Sequence, residues 1–205
     1  MTRFARSERQ NLCDTFEHVG PQGPTLCLPW LTSDLAAHLV VRERRPDAAP
    51  AIWLPSMRGR LEKVQDGYAA WDWPRLIHEV RSGPPRWSPT SLGRVDEAFN
   101  TAEFFVHHED VLRGDAKWSA RKLPCDLESA LWSIVSRVAR VQLARSRAGV
   151  ELVAPDYGQR QVHATTDRGG VVITGTPGEL LLYAFGRRGV AQVDITGSKD
   201  ALAAL

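Results

Sequence analysis

The 205-residue chain has few cysteines and no long apolar run. Its three cysteines, Cys13, Cys27 and Cys125, are far apart, and no two of them form a CxxC pair. An odd number of scattered cysteines is a poor disulfide framework and predicts a reducing compartment. No window approaches the roughly 18 apolar residues that a membrane span needs, and the charged segment 1–10 lacks the apolar region of a signal peptide. The sequence therefore predicts a cytoplasmic protein.

An excess of charge of one sign is also missing. The 26 lysines and arginines nearly balance 24 acidic residues, which leaves a formal net charge of +2. This balance argues against a strongly basic nucleic-acid-binding protein and against an acidic disordered chain. The chain has no GxSxG motif, so nothing supports a serine-hydrolase elbow. Nucleic acid and membranes are therefore not expected partners.

The first ~148 residues carry the apolar spacing of helices. Thr32 or Ser33 is expected to cap the second helix with its hydroxyl, and Pro124 is expected at the first position of a later one. A break is expected at Trp73-Pro74, and an irregular connection over 48–56. The apolar stripes predict helices over 4–19, from 32 or 33 to about 45, over 58–82 in one or two pieces, over 92–112, and from 124 onward.

After Gly149 the pattern changes to short β-branched segments bounded by turn residues. Pro177 is expected to begin a helix, and Ser198 a final short one. The predicted fold class is therefore mainly α with a small α/β C-terminal unit, divided into a helical bundle over 1–148 and a β-containing unit over 149–205. Strands are predicted at 150–154, 161–166, 171–175 and 191–197.

Three residues are candidate metal ligands. Glu103 and His107 are four apart on a strong helical pattern, so their side chains share a face. His38 lies on the apolar stripe of the second helix. Two histidines and one carboxylate leave an open coordination position, as catalytic zinc sites do, and bundle cores host such sites. A Glu–His salt link at the core edge and an ordinary core histidine remain the alternatives.

Four neighbouring residues have two interpretations each. Asp110 follows His107 by three positions and either orients its imidazole or is solvated. His108 and Glu109 are rotated about 100° and 200° from His107 and are expected to be solvated or to support the site from outside. Cys27 is either a nucleophile activated by His38, which would give a thiol hydrolase, or a small buried hydrophobic residue.

Two motifs resemble those of the mycothiol-dependent maleylpyruvate isomerase family. The first runs through Thr25, Cys27 and Trp30 and continues as Asp34-Leu35 and His38-Leu39. The second is the glutamate four residues before a histidine in AEFFVHHED. The resemblance covers roughly residues 4–145, and the segments TGTPGELLLYAFGRR and VDITG are similar to the family's C-terminal domain.

The resemblance implies a DinB-like four-helix bundle that holds a divalent metal, typically zinc, at His38, Glu103 and His107. It also implies a mycothiol-type thiol, activated by the metal, that adds to or isomerises a small electrophilic substrate. Arg187 or Arg188 would supply the catalytic arginine of the C-terminal domain, and the protein would be a monomer or homodimer. A non-catalytic metal-binding protein and a metal-free structural or interaction bundle are the alternative functions.

Overall fold

The computed structural model describes residues 3–45, 58–85 and 94–205 and divides the chain into two compact units, Met1–Ser119 and Ala120–Leu205. Over these residues the protein is mainly helical, with one four-stranded sheet in the second unit. The predicted class, mainly α with a small C-terminal α/β unit, is confirmed at this level. None of the described helices is both long and apolar enough to cross a bilayer.

The first unit consists of helices that pack around a shared apolar core. α1 packs against α4 and α5, and α2 packs against α3 and α4. Their shared core includes Leu12, Phe16, Leu35, Leu39 and Phe104, all fully buried. The predicted start at Leu92 and the connection predicted over 48–56 lie outside the described residues. The helices are α1 (Arg3–Val19), α2 (Thr32–Arg44), α3 (Arg58–Ala69), α4 (Trp73–Ser82) and α5 (Arg94–Leu112).

The start of α2 differs from the prediction of a hydroxyl cap. The N-cap residue is Leu31, and no side chain caps the helix there; the Leu31 N–H donates instead to Oδ2 of Asp34 at 2.9 Å. The Thr32 hydroxyl donates to the Gly20 carbonyl and accepts from the Gly23 N–H. The expected cap is wrong because the buried Thr32 hydroxyl fastens the preceding turn, where Gly20 has a φ of +82°.

The second unit combines three helices with a mixed sheet. The strand order is β2-β1-β3-β4, with β1 and β3 parallel and the other neighbours antiparallel. The short last helix expected from Ser198 is present, and the Ser198 hydroxyl caps it by accepting the Ala201 N–H. The elements are α6 (Cys125–Gln142), β1 (Gly149–Ala154), β2 (Gly158–His163), β3 (Gly170–Thr174), α7 (Pro177–Ala184), β4 (Asp194–Gly197) and α8 (Lys199–Ala203).

Helix α6 belongs to the second unit, so the compact division falls after Ser119 and not at residue 148. The physical reason is its buried face, because α6 packs against α7 and β2 through residues such as Leu131 and Trp132. Glu128 adds a polar tie, since its carboxylate accepts the Gly178 N–H at the start of α7 at 2.9 Å. Pro124 is the N-cap of α6, one position earlier than predicted.

Candidate metal centre

Helices α2 and α5 bring His38, Glu103 and His107 together. One nitrogen or oxygen from each lies within 4.8 Å of the others. Because Glu103 and His107 are one helical turn apart, Oε2 of Glu103 is 3.4 Å from Nε2 of His107. The ring of His38, on α2, has its centre 5.6 Å from that of His107. The residues that the sequence selected as ligands are thus neighbours in the first unit.

His38 is in the protonation state that a metal ligand requires. Its side chain is 8% exposed, and its Nδ1 is buried without a hydrogen-bond partner among the described residues. Burial, together with the charges of His107 and Arg42, lowers the pKa of His38 to about 3, and Glu103 opposes this only in part. The imidazole is therefore neutral at physiological pH, with a lone pair available.

Glu103 is ionised. Burial alone would raise its pKa, but hydrogen bonding to His107 and the positive charges of His107 and Arg42 outweigh burial and lower the pKa to about 2. Nε of Arg42 is 3.9 Å from Oε2 of Glu103, and Nη2 of Arg42 donates to Oδ1 of Asn100 at 2.7 Å. A buried carboxylate that stays charged attracts a cation strongly.

His107 is held between two carboxylates. Its Nδ1 lies 3.0 Å from Oδ2 of the fully buried Asp110, while its Nε2 faces Glu103. Burial alone would lower the pKa of His107, but hydrogen bonds to Asp110, Cys27 and Glu103 raise it well above its usual value. The geometry of Asp110 is that expected of a carboxylate that orients a metal-binding imidazole through its second nitrogen.

The donor set fits a divalent metal. Two imidazoles and a carboxylate are ordinary zinc ligands, and three protein ligands leave one position for a further group. A cation at this position would replace the proton on Nε2 of His107 and would give Nδ1 or Nε2 of His38 a partner. The buried, unpartnered Nδ1 of His38 is the observation of this structure that agrees with such a ligand role.

Cys27 lies beside this centre on the loop before α2. Its thiol is half-buried and donates to Oδ2 of Asp110 at 3.0 Å, next to His107. The loop is fixed from within, since the Thr25 hydroxyl donates to the Trp30 carbonyl and accepts the Cys27 N–H. The thiol therefore has polar partners on α5, which neither the simple hydrophobic interpretation nor activation by His38 anticipates.

His108 and Glu109 are not solvated, which corrects one of the two roles expected of them. Both are nearly fully buried, at 4% and 1% exposed. Rotation by about 100° from His107 turns His108 toward α1, which packs along α5, so its Nδ1 meets Glu8 at 3.1 Å and its Nε2 meets Thr15 at 3.0 Å. Glu109 accepts from Nε of Arg113 at 2.6 Å.

Arg42 is the residue of this centre that the sequence analysis missed. It follows His38 by four positions, so the helical spacing that paired Glu103 with His107 also places Arg42 beside His38 on one face of α2. Its Nη1 is buried without a partner among the described residues. The signal was present in the sequence, but a cation next to proposed metal ligands was not an expected feature.

Arg187 and Arg188 lie in the second unit, just after α7. Nη1 of Arg187 donates to the Phe185 carbonyl at 2.7 Å, and the guanidinium of Arg188 lies 5.2 Å from the centre of the Tyr183 ring. These local contacts describe both side chains without testing the catalytic role expected of either. That role stays a prediction.

Comparison of the chain with family models, with curated proteins and with solved structures finds no match. The function proposed below therefore depends on the geometry of the centre and on the two sequence motifs.

Proposed function

We propose that the protein is a divalent-metal-dependent enzyme, with zinc as the first candidate, that uses a low-molecular-weight thiol to add to or isomerise a small electrophilic substrate. The proposed metal site is supported by the convergence of His38, Glu103 and His107 from two helices. The resemblance of the motifs around Cys27, His38 and His107 to the mycothiol-dependent family supplies the thiol and the substrate class.

Each residue has a defined task in this proposal. His38 offers a neutral imidazole, and Glu103 offers an ionised carboxylate whose charge offsets that of the ion. Asp110 holds the Nδ1 edge of His107, so that Nε2 points toward the other two ligands. A bound divalent ion supplies an open coordination position at which a thiol loses its proton near neutral pH and becomes a better nucleophile.

Two groups lie beside the proposed metal ligands. The Trp30 ring lies 5.1 Å from the His38 ring, centre to centre, and provides an apolar wall. Arg42 keeps a guanidinium next to Glu103 and thereby adds positive charge where a thiolate would bind. The positive charge of Arg42 favours an anionic sulfur ligand over a second cation.

A non-catalytic metal-binding protein is the second candidate. Its support is the small exposure of the proposed ligands, since the side chains of Glu103 and His107 are 12% and 11% exposed. A site with such narrow access suits an ion that stays in place. This candidate predicts bound metal without turnover of any thiol and electrophile.

The test is metal content by elemental mass spectrometry of the purified full chain and of His38→Ala, Glu103→Gln and His107→Ala. His78→Ala, at an exposed position on α4, is the matched control. We expect near-stoichiometric metal in the parent and the control and its loss in the three ligand variants. A parent that stays metal-free after reconstitution, or variants that keep full metal content, would contradict the metal centre.

Thiol chemistry is tested next on the metal-loaded parent. Mycothiol and simpler thiols are supplied with small activated alkenes, and consumption of thiol or isomerisation of the double bond is followed. We expect turnover that requires both the metal and the thiol. Full metal content with no turnover for any pair would favour the non-catalytic candidate.

A further inference from the structure

We propose a second metal position, formed by Cys27, Asp110 and the Nδ1 edge of His107, as an alternative to the one above. It lies on the opposite side of the same imidazole ring, since Nδ1 faces Asp110 while Nε2 faces Glu103. This inference goes beyond the proposed function: His107 is a ligand in both positions, and Asp110, which orients His107 in the first, becomes a ligand in the second. The expected ligand is a thiophilic divalent cation such as zinc or cadmium.

The donor atoms are already close to a coordination geometry. Sγ of Cys27 and Nδ1 of His107 each lie 3.0 Å from Oδ2 of Asp110, and the three donors lie within 4.8 Å of one another. Tetrahedral zinc, with bonds of about 2.0–2.3 Å, holds its ligand atoms roughly 3.3–3.6 Å apart. The two contacts to Oδ2 of Asp110 would each have to lengthen by a few tenths of an ångström to admit an ion.

The loop that carries the thiol is built onto α5. The Leu26 N–H donates to the Asp110 carbonyl at 3.0 Å, so the backbone next to Cys27 is tied to the residue that holds the second ligand. The loop also passes close to Gly114, where an added Cβ would lie 2.2 Å from the Pro24 carbonyl oxygen. Only glycine permits this approach, which keeps the thiol beside Asp110.

The chemistry of the donors favours a cation over the hydrogen-bonded arrangement alone. Thiolate, imidazole and carboxylate together form a typical zinc donor set, and thiolate gives it a preference for soft ions. Binding releases the thiol proton of Cys27 and the Nδ1 proton of His107 to solvent, and no electron is transferred. His107 then keeps its Nε2 proton toward Glu103.

This proton arrangement makes the two positions mutually exclusive. An ion on Nε2 leaves the Nδ1 proton for Asp110, whereas an ion on Nδ1 leaves the Nε2 proton for Glu103. His107 can therefore serve one ion at a time while it remains a neutral imidazole. We infer that the position an ion takes depends on its affinity for sulfur.

Cadmium titration of the reduced full chain tests the second position through the ultraviolet thiolate-to-cadmium charge-transfer band. We expect a saturating band at one equivalent in the parent, its loss in Cys27→Ser, and affinity at least tenfold weaker in Asp110→Asn. Cys125→Ser is the matched control, because Cys125 is the exposed cysteine and its removal should leave the band unchanged. His38→Gln should also keep the band.

Several outcomes would overturn the inference: no band in the parent, a band that persists in Cys27→Ser, or a band that disappears in His38→Gln. Cadmium NMR of the parent provides a readout without any variant, since a sulfur ligand moves the resonance strongly downfield, and a resonance without that shift contradicts the proposal. Urea unfolding of each variant identifies those that do not fold. Failure of the first centre is recognised separately, in a Cys27→Ser background, by zinc content that does not depend on His38.

Discussion

His107 and His108 are adjacent on α5 and both buried, yet their surroundings differ. Both ring nitrogens of His108 have protein partners, Glu8 on one side and Thr15 on the other. Beside His107, by contrast, Nδ1 of His38 and Nη1 of Arg42 are buried without hydrogen-bond partners in the part of the chain that the structure describes. Burial alone therefore does not distinguish a structural histidine from a candidate ligand, whereas incomplete hydrogen bonding around it does.

The two histidines also differ in the number of carboxylates next to them. His108 is paired with one carboxylate, that of Glu8, whereas His107 lies between two, Glu103 and Asp110. Two carboxylates lie next to the His107 imidazole, with Arg42 3.9 Å from Glu103, and this arrangement favours a cation more than the single carboxylate next to His108 does.

The largest expected difference comes from truncating each histidine. We expect His107→Ala to lower zinc affinity at least a hundredfold, since it removes a ligand. We expect His108→Ala to keep its zinc but to lose about 1–3 kcal/mol of unfolding free energy, because Glu8 loses a buried partner. Metal content and urea unfolding measure the two effects. Loss of zinc in His108→Ala as well as in His107→Ala would contradict the distinction between a ligand and a structural histidine.

The carboxylates behind the two histidines give the next contrast. Replacing a carboxylate that orients a metal-binding imidazole typically lowers affinity 10- to 100-fold. We expect this for Asp110→Asn, and a change of less than about twofold for Glu8→Gln, which acts on His108. Competition with a chromophoric chelator measures zinc affinity, and a Cys27→Ser background restricts binding to the first centre. Equal losses in both variants would show that Asp110 has no special role.

The last contrast concerns His38 in metal-free protein. Its pKa is about 3 in the folded state and near 6.5 in the unfolded chain. As the pH falls from 6.5 toward 3, the unfolded state binds a proton at His38 that the folded state does not bind. The free energy of unfolding therefore falls by at most about 1.4 kcal/mol per pH unit. We expect His38→Gln to flatten the curve of unfolding free energy against pH in this window. Identical slopes would place His38 in contact with solvent.

The site could be predicted from the sequence only where its members share a helix or an apolar stripe. Glu103 and His107 follow from the spacing of α5, because one helical turn fixes their relation. His38 was selected by its place on the stripe of α2, but its distance from α5 depends on how the two helices meet. Cys27 stayed ambiguous, because a loop thiol acquires its partners only when the loop is fastened to another element.

The errors have the same physical origin. The prediction that His108 and Glu109 are solvated assumed that one face of α5 is exposed to solvent. In the structure, α1 covers His108 and Arg113 pairs with Glu109. Thr32 does not cap α2, because its hydroxyl makes hydrogen bonds to the preceding turn. Helix α6 was assigned to the first unit, because apolar spacing shows which face of a helix is buried but not which element covers that face. Each depends on a neighbour that is distant in sequence.

The sequence by itself determined the helical periods, the change to short strands after Gly149, and the one-turn spacing of Glu103 and His107, because these depend on local backbone geometry. Only the tertiary structure decided that His38 meets them, that the Cys27 thiol reaches Asp110, and that α6 packs on the sheet. The reason is that the segments packed against a side chain determine its burial, its pKa and its hydrogen-bond partners. Local sequence propensity does not specify which segments those are.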